Sequence, residues 1–515
     1  MLTGPIQELL RKVEAAEAAE QERPSGSEIL EVNKMIAKAA TFYEKVRYLI
    51  DYREEHTIRR AAMERILKRR IFIEHQTHVG MTLLQELADG QYLEKGEATE
   101  EAAHDIDKIV WKYLNLIESA RANGTISRWL ISFAATEIDA RLSPKQYAVD
   151  DAAAEAFYKI TKGRAAALGV SEEEVNIQLY CAIWRSLISA DNERLSYALW
   201  ILYMPEWKNP DFNPKTMAGK LPGVIAHIQA AVHNQLQWQI ASKLKNESIY
   251  FHIIRDIVQH NGAAAEHILG SDIELEEYTQ SYLAKKYERE NARIRSSGIR
   301  AVAYLFLTKM VVALLVEVPY EYIFLGSIHY FPLSVNILFH PLLLFVLTRR
   351  VGALDDENTK AIIDGVKNIL YEGKTRSIRI RNTYTRLTFA FATMYLILVL
   401  LVFGTLIGFL ELLNFNPVSI ALFLFFLALV SYFAFRIRFQ AQRWKVVRNQ
   451  GTLSVIASVL AIPVIRTGRW LSQTFSSINV FVIILDFIIE TPFKRLLNFS
   501  NQFLYYLREK AEEMR

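Results

Sequence analysis

Apolar residues recur at helical spacing through residues 1–300 and then gather into long runs from Ala301 onward. The runs cover 301–316 with 318–325, 333–348, 387–413, 417–435 and 476–489. A run of roughly 17–25 apolar residues reaches across a hydrocarbon core about 30 Å thick. The pattern predicts an all-α protein: a cytoplasmic multi-helix domain, then a polytopic helical membrane domain of about 4–6 segments. No stretch alternates with the period of two that a half-buried strand requires.

Punctuation within the pattern divides the chain further. Residues 1–27 read as a mobile N-terminal helix and linker, ending in Pro24-Ser25-Gly26-Ser27. Residues 28–298 form the all-α domain. Ser25 with Glu28, and Ser171 with Glu174, have the spacing of a capping box. Ser143-Pro144 starts a helix with proline at its first position. Residues 98–121 place Ile106, Ile109, Val110, Tyr113, Leu114 and Ile117 on one face, and Gly124 is expected to end that helix. Six of the eight tryptophans fall in this domain, which implies a packed core. Then follow 299–350, a first transmembrane hairpin; 351–386, a basic cytoplasmic loop; and 387–436, a second transmembrane hairpin. Residues 437–493 read as an interfacial or re-entrant helix and a last membrane segment. Residues 494–515 read as an amphipathic C-terminal helix.

Charge fixes the expected orientation. Residues 301–515 hold 22 Lys/Arg against 13 Asp/Glu, whereas residues 1–300 hold 38 against 43. The connections 326–332 and 411–417 carry no Lys or Arg, while 349–386 carries nine basic and five acidic residues. Basic loops stay on the cytoplasmic side, so the head and 349–386 are expected there, in a multi-pass protein of the plasma (inner) membrane. The acidic head argues against nucleic acid as a partner. The single cysteine, Cys181, rules out an internal disulfide and sits among apolar neighbours, as a buried structural thiol would.

Candidate chemistry is sparse. Glu317 and Glu321 lie in the first apolar run, and Asp486 and Glu490 in the last. Each pair is four residues apart and so shares a helical face. Each adjoins a proline, Pro319 or Pro492, which kinks a helix and frees a carbonyl. An isolated charge in hydrocarbon costs about 2.5 kcal/mol or more, so such residues usually face a protein interior or water. They could form a proton or cation site, or reach headgroups or pair with Lys309, Arg466 or Lys494. Lys374, Arg376, Arg379, Arg381 and Arg386 precede the second hairpin and are expected to face anionic lipid headgroups. His252, Asp256 and His260 repeat every four residues, a weak metal-ligand pattern that no second motif completes. The basic run Arg53, Arg59, Arg60, Arg65, Lys68, Arg69, Arg70 reads as a solvated helix with ion pairs four apart.

No phosphate loop, dinucleotide fingerprint, nucleophile elbow or kinase signature is present. The expected function is therefore non-enzymatic and cofactor-free: a membrane-anchored scaffold or assembly protein. Its helical domain would bind a protein partner or a second copy of the chain, with the lipid bilayer as its other partner. The alternative is an ion- or proton-coupled channel or transporter that uses the intramembrane carboxylates.

Overall fold

The computed structural model describes residues 2–21, 55–90, 92–93, 97–209, 213–349, 356–380, 388–447 and 452–477. It is 84% helical, in accord with the all-α pattern. The chain divides into two units, Met1–Tyr282 with Asp356–Asn382, and Leu283–Asp355 with Thr383–Arg515.

The first unit begins with α1 (Gly4–Gln21), α2 (Glu55–Phe72), α3 (Gly80–Asp89), α4 (Glu100–Ser119), α5 (Gly124–Leu142) and α6 (Pro144–Thr161). Side-chain caps set several starts. Thr99 accepts from the Ala102 amide ahead of α4, and Asn123 accepts from Thr125 and Ile126 ahead of α5. Gly124 therefore opens a helix rather than ending one, because Asn123 supplies the cap. A three-residue strand, β1 (Ala165–Ala167), leads to α7 (Glu172–Ile183), which Ser171 caps through the Glu174 amide, and then to α8 (Asn192–Tyr203). The unit continues with α9 (Leu221–His233), α10 (Leu236–Lys243), α11 (Lys245–Asn261) and α12 (Ala265–Gly270).

Its core is aromatic, as the tryptophan content implies. Trp207 packs on Tyr113 at 4.8 Å and on Trp200 at 5.2 Å, and Phe133 continues the stack. Glu137 satisfies the two polar tips, accepting from Tyr113 Oη at 2.7 Å and Trp207 Nε1 at 2.9 Å. Buried ion pairs hold the surrounding helices. Asp150 takes Arg194 at 2.7 Å and Arg255 at 2.6 Å, and Asp139 takes Arg59 at 2.6 Å. Arg59 and Arg60 thus point inward, unlike the solvated face expected of them, because acidic partners on other helices replace their water. The expected pairs four apart are present at Arg60–Glu64, Lys68–Glu64 and Arg70–Glu74. Cys181 is fully buried.

The long helix α13 (Asp272–Val312) starts in the first unit and ends in the second. It passes through a π turn (Ala313–Glu317), α14 (Val318–Tyr320) and a second π turn (Glu321–Leu325). Gly326 then reverses the chain at φ 70°, a conformation that costs glycine nothing. Next comes α15 (Tyr330–Arg349), with Pro341 inside it.

The chain then returns to the first unit. Residues within 351–386, read above as a loop, form α16 (Asp356–Lys367) and β2 (Ile378–Ile380). β2 pairs in parallel with β1, with Ala165 opposite Ile378 and Ala167 opposite Ile380. Arg164 donates to the carbonyls of Thr375 and Gly373, both at 3.0 Å. α16 buries Ile362, Ile363 and Val366, and Gly365 lets its backbone approach the Tyr250 ring. The basic run conceals these apolar positions in the sequence.

The second unit resumes with α17 (Thr388–Leu412), α18 (Pro417–Ala441) and α19 (Thr452–Ser477). Among the described residues, four helices are long and apolar enough to cross a membrane. The spans are Tyr330–Leu347, Phe389–Leu412, Pro417–Ile437 and Val455–Thr474. The last falls in the stretch expected to be interfacial or re-entrant, and its length and composition would also suffice to cross. It runs unbroken through Pro463 and packs tightly on α18, where a Cβ at Gly468 would lie 1.9 Å from the Ala428 carbonyl oxygen. Arg466, whose charge argued against a span, sits over the Tyr395 ring at 4.9 Å. Large side chains such as Phe389, Phe391, Leu400 and Leu412 are exposed on this unit, the surface that hydrocarbon would cover. Asp486, Glu490, Pro492 and the helix 494–515 lie outside the described residues.

Candidate functional site

Among the described residues, Glu317 and Glu321 are the most deeply buried carboxylates of the second unit, at 1% and 0% exposure. Each ends or opens one of the two π turns that flank Pro319. Proline has no amide hydrogen to donate, so the helix tolerates a wider turn there. A π turn inserts a residue and re-aims the side chains beside it, and such turns are common at functional sites.

Three chain segments converge on these acids. From α15, Asn336 donates through Nδ2 to both Glu317 oxygens, at 2.9 and 3.1 Å. Its Oδ1 accepts from Lys309 Nζ of α13 at 2.5 Å. From α18, the Ser419 hydroxyl donates to Glu317 Oε1. Asn336 therefore bridges a buried ammonium and a buried carboxylate, and its amide orientation is set by its partners. Lys309 Nζ also lies 4.2 Å from the centre of the Phe426 ring, a favourable place for a cation in an apolar setting.

One turn beyond Asn336 on α15 stands His340, fully buried. Its Nε2 is 2.9 Å from the Phe423 carbonyl oxygen, and its Nδ1 is 3.3 Å from that of Asn336. A neutral imidazole donates from one nitrogen only. The shorter contact assigns the proton to Nε2.

Glu321 forms the other end of the network. Its Oε2 accepts from the His329 amide at 2.7 Å, and its Oε1 accepts from Asn416 Nδ2 at 2.7 Å. Asn416 also caps α18, its Oδ1 accepting from the Ser419 amide at 2.8 Å. The polar groups thus run from the hairpin tips, at His329 and Asn416, through Glu321, Glu317, Ser419 and Asn336 to Lys309 and His340.

The donor set decides what this arrangement can bind. Both carboxylates face N–H and O–H donors, which stabilise negative charge. A bound alkali or alkaline-earth ion needs about six oxygen ligands instead. The place a metal ion would take beside Glu317 is filled by donors and, through Asn336, by the Lys309 ammonium. Carboxylate, hydroxyl, amine and imidazole together hold and relay protons.

The other sequence candidates separate from this site. Lys374 is exposed and pairs with Glu372 at 2.8 Å. Arg376 and Arg379 are exposed in the first unit, and Arg376 draws on the buried Glu247, whose carboxyl burial pushes up. Arg381 and Arg386 lie outside the described residues. His252, Asp256 and His260 share α11, but His260 Nδ1 turns back to the Asp256 carbonyl oxygen at 3.0 Å, and Asp256 accepts from Tyr278 Oη at 3.3 Å. Among the described residues no group of three or more His, Cys, Asp or Glu is placed to hold a metal. A cavity of about 320 Å³ in the first unit is lined in part by Glu64, Lys68, Arg128, Trp129, Phe133 and His233. Both its carboxylates are engaged, Glu64 with Lys68 and Arg60, and Glu193 with Arg60 at 3.5 Å.

Asn336, His340, Ser419, Asn416 and His329 were not singled out from the sequence. Their signal was present: Asn336 and His340 are the only polar residues between Val335 and Val346 and stand four apart. The chain matches no protein-family model, no curated protein and no solved structure.

Proposed function

We propose that this chain is a proton-coupled transporter or channel of the plasma membrane, with Glu317 as its central proton-binding group. One observation carries the reading: a carboxylate, an ammonium and an imidazole are buried together against α15 and α18, two helices apolar enough to cross a bilayer. A bundle that needed only adhesion could use Ser and Asn, which carry no ionic desolvation cost. Ionisable groups held at that cost ordinarily mark a proton or ion path. The two π turns beside both acids point the same way.

The topology supports this reading. Residues on both sides of 283–355 belong to one folded unit, joined by the β1–β2 pair. A folded unit lies on one side of a bilayer, so Tyr330–Leu347 crosses there together with the apolar run 301–325 that precedes it. The basic residues beside that unit favour the cytoplasmic side for it. The scaffold role then becomes a property of the head, which would bind a partner or sense a signal for the membrane part.

The test is proton flux. Purified full-length protein is reconstituted in liposomes that enclose a pH-sensitive dye, and a pH step is applied outside. Wild-type vesicles are expected to equilibrate faster than empty ones, and folded Glu317→Gln, which keeps one acceptor oxygen for Ser419 and Asn336 but not the charge, to lose that excess. Wild-type vesicles no more permeable to protons than empty ones would overturn the reading.

A further inference from the structure

We infer that His329 is the proton-exchange group of this network, taking protons from water at the hairpin tip and passing them to Glu321. The inference rests on the proton reading above. It adds the group through which the buried acids communicate with the aqueous phase.

The geometry is specific to this residue. Glu321 is fully buried, whereas the His329 side chain is 43% exposed. The imidazole Nδ1 is 3.8 Å from Glu321 Oε2, just beyond hydrogen-bond range. The same Oε2 already accepts from the His329 main-chain amide at 2.7 Å. Backbone and ring of one residue therefore converge on one carboxylate oxygen. The His329 carbonyl in turn accepts from the Leu333 amide at 3.2 Å, which fixes the residue at the start of α15. A small rotation of the ring closes the remaining gap.

Imidazole suits the task, because it is the side chain that gains and loses a proton between about pH 5 and pH 8. When the exposed ring takes a proton from water, its charge draws it onto Glu321. The proton then leaves Nδ1 and binds Oε2. The ring returns to neutral, the carboxyl loses its charge, and the attraction that held them relaxes. Around Glu321, among the described residues, the facing groups are the His329 amide and ring and the neutral Asn416 amide. Glu317 stands four residues earlier on the same helix. His329 is the titratable one of these that also reaches water.

Without an acid–base group at this position, protons must reach Glu321 directly from water. General acid–base groups typically accelerate such transfers about 100-fold or more. In the liposome assay, His329→Gln is expected to slow the proton flux by about that factor. Imidazole added to the buffer should restore a large part of it, since the vacated site opens to solvent. His329→Arg keeps a positive charge beside Glu321 but does not release protons at neutral pH, so its flux should stay low with imidazole present. Glu317→Gln should stay inactive with imidazole, since it interrupts the path further in. Unchanged flux in His329→Gln, or slow flux that imidazole does not restore, would overturn the exchange role and leave the proton reading standing. Absence of flux in wild-type protein would overturn both.

Discussion

Removing one charge of the buried pair should cost far more than removing both. Lys309 Nζ lies 2.5 Å from Asn336 Oδ1, and Asn336 Nδ2 lies 2.9 Å from Glu317. Across the width of the amide, the two charges stand about 6 Å apart, worth about 3 kcal/mol at an effective dielectric of 20. Lys309→Met leaves Glu317 ionised without its cation, and Glu317→Gln leaves the ammonium without its anion. Loss of one partner from a buried pair typically costs about 3–5 kcal/mol. The double variant Lys309→Met/Glu317→Gln keeps the Ser419 hydrogen bond and buries no net charge. Its destabilisation should fall short of the summed single effects by about 3 kcal/mol, roughly a hundredfold in the folding equilibrium. Unfolding of each purified full-length variant in mixed micelles, followed by far-UV circular dichroism as denaturing detergent is added, measures all four corners of the cycle. Additivity of the two single changes would refute the argument, because it would mean that the charges do not sense each other through Asn336. Restored folding in the double variant should not restore proton flux, which separates stability from function.

Gly468→Ala should loosen α19 from α18, since the added methyl would lie 1.9 Å from the Ala428 carbonyl oxygen, a backbone atom that cannot turn away. A loss of about 1–3 kcal/mol is expected, against none for Gly404→Ala in open surroundings; equal thermal stabilities would refute the close packing. Burial pushes the Cys181 thiol up to about 12, so iodoacetamide at pH 8 should label it only after unfolding, and prompt labelling of folded protein would refute this placement. Because the folded thiol holds its proton more tightly than the unfolded one, its contribution to stability is complete at neutral pH. It is lost as the pH rises from about 8.5 toward 12.

Much of the architecture was legible in the sequence because it follows from local rules. Apolar run length marked α15, α17 and α18, while proline at the first position marked the start of α6 and a serine cap that of α7. The misreadings arose where tertiary contacts override local pattern. Gly124 signalled a helix end, but Asn123 beside it makes the stronger cap. Residues 356–380 looked like a charged loop because lysines and arginines interrupt Ile362, Ile363, Val366, Ile369, Leu370 and Ile378, which are apolar and buried. Arg466 and Arg469 argued for an interfacial or re-entrant α19, a reading the helix itself leaves open. The Tyr395 ring and the close approach at Gly468 give that helix partners that no window of hydropathy registers.

The site was half legible for a related reason. A carboxylate in an apolar run is conspicuous, so Glu317 and Glu321 stood out, and their common spacing with Asp486 and Glu490 suggested a cluster of like charges. Spacing along a helix reports which residues share a face, not what that face meets. The face meets Asn336 and Ser419, from helices that begin in two different hairpins, and through Asn336 it meets Lys309, one of the cations weighed from the sequence alone. Asp486 and Glu490 lie outside the described residues, so the contrast concerns the surroundings of Glu317 alone. Like charges would have to share a proton to coexist, whereas an ammonium bridged to a carboxylate can hold both charges and release one when a proton arrives. Glu321 is buried beside an exposed imidazole at one end of this network and His340 among carbonyl oxygens at the other, the two ends between which the proposed proton exchange would run.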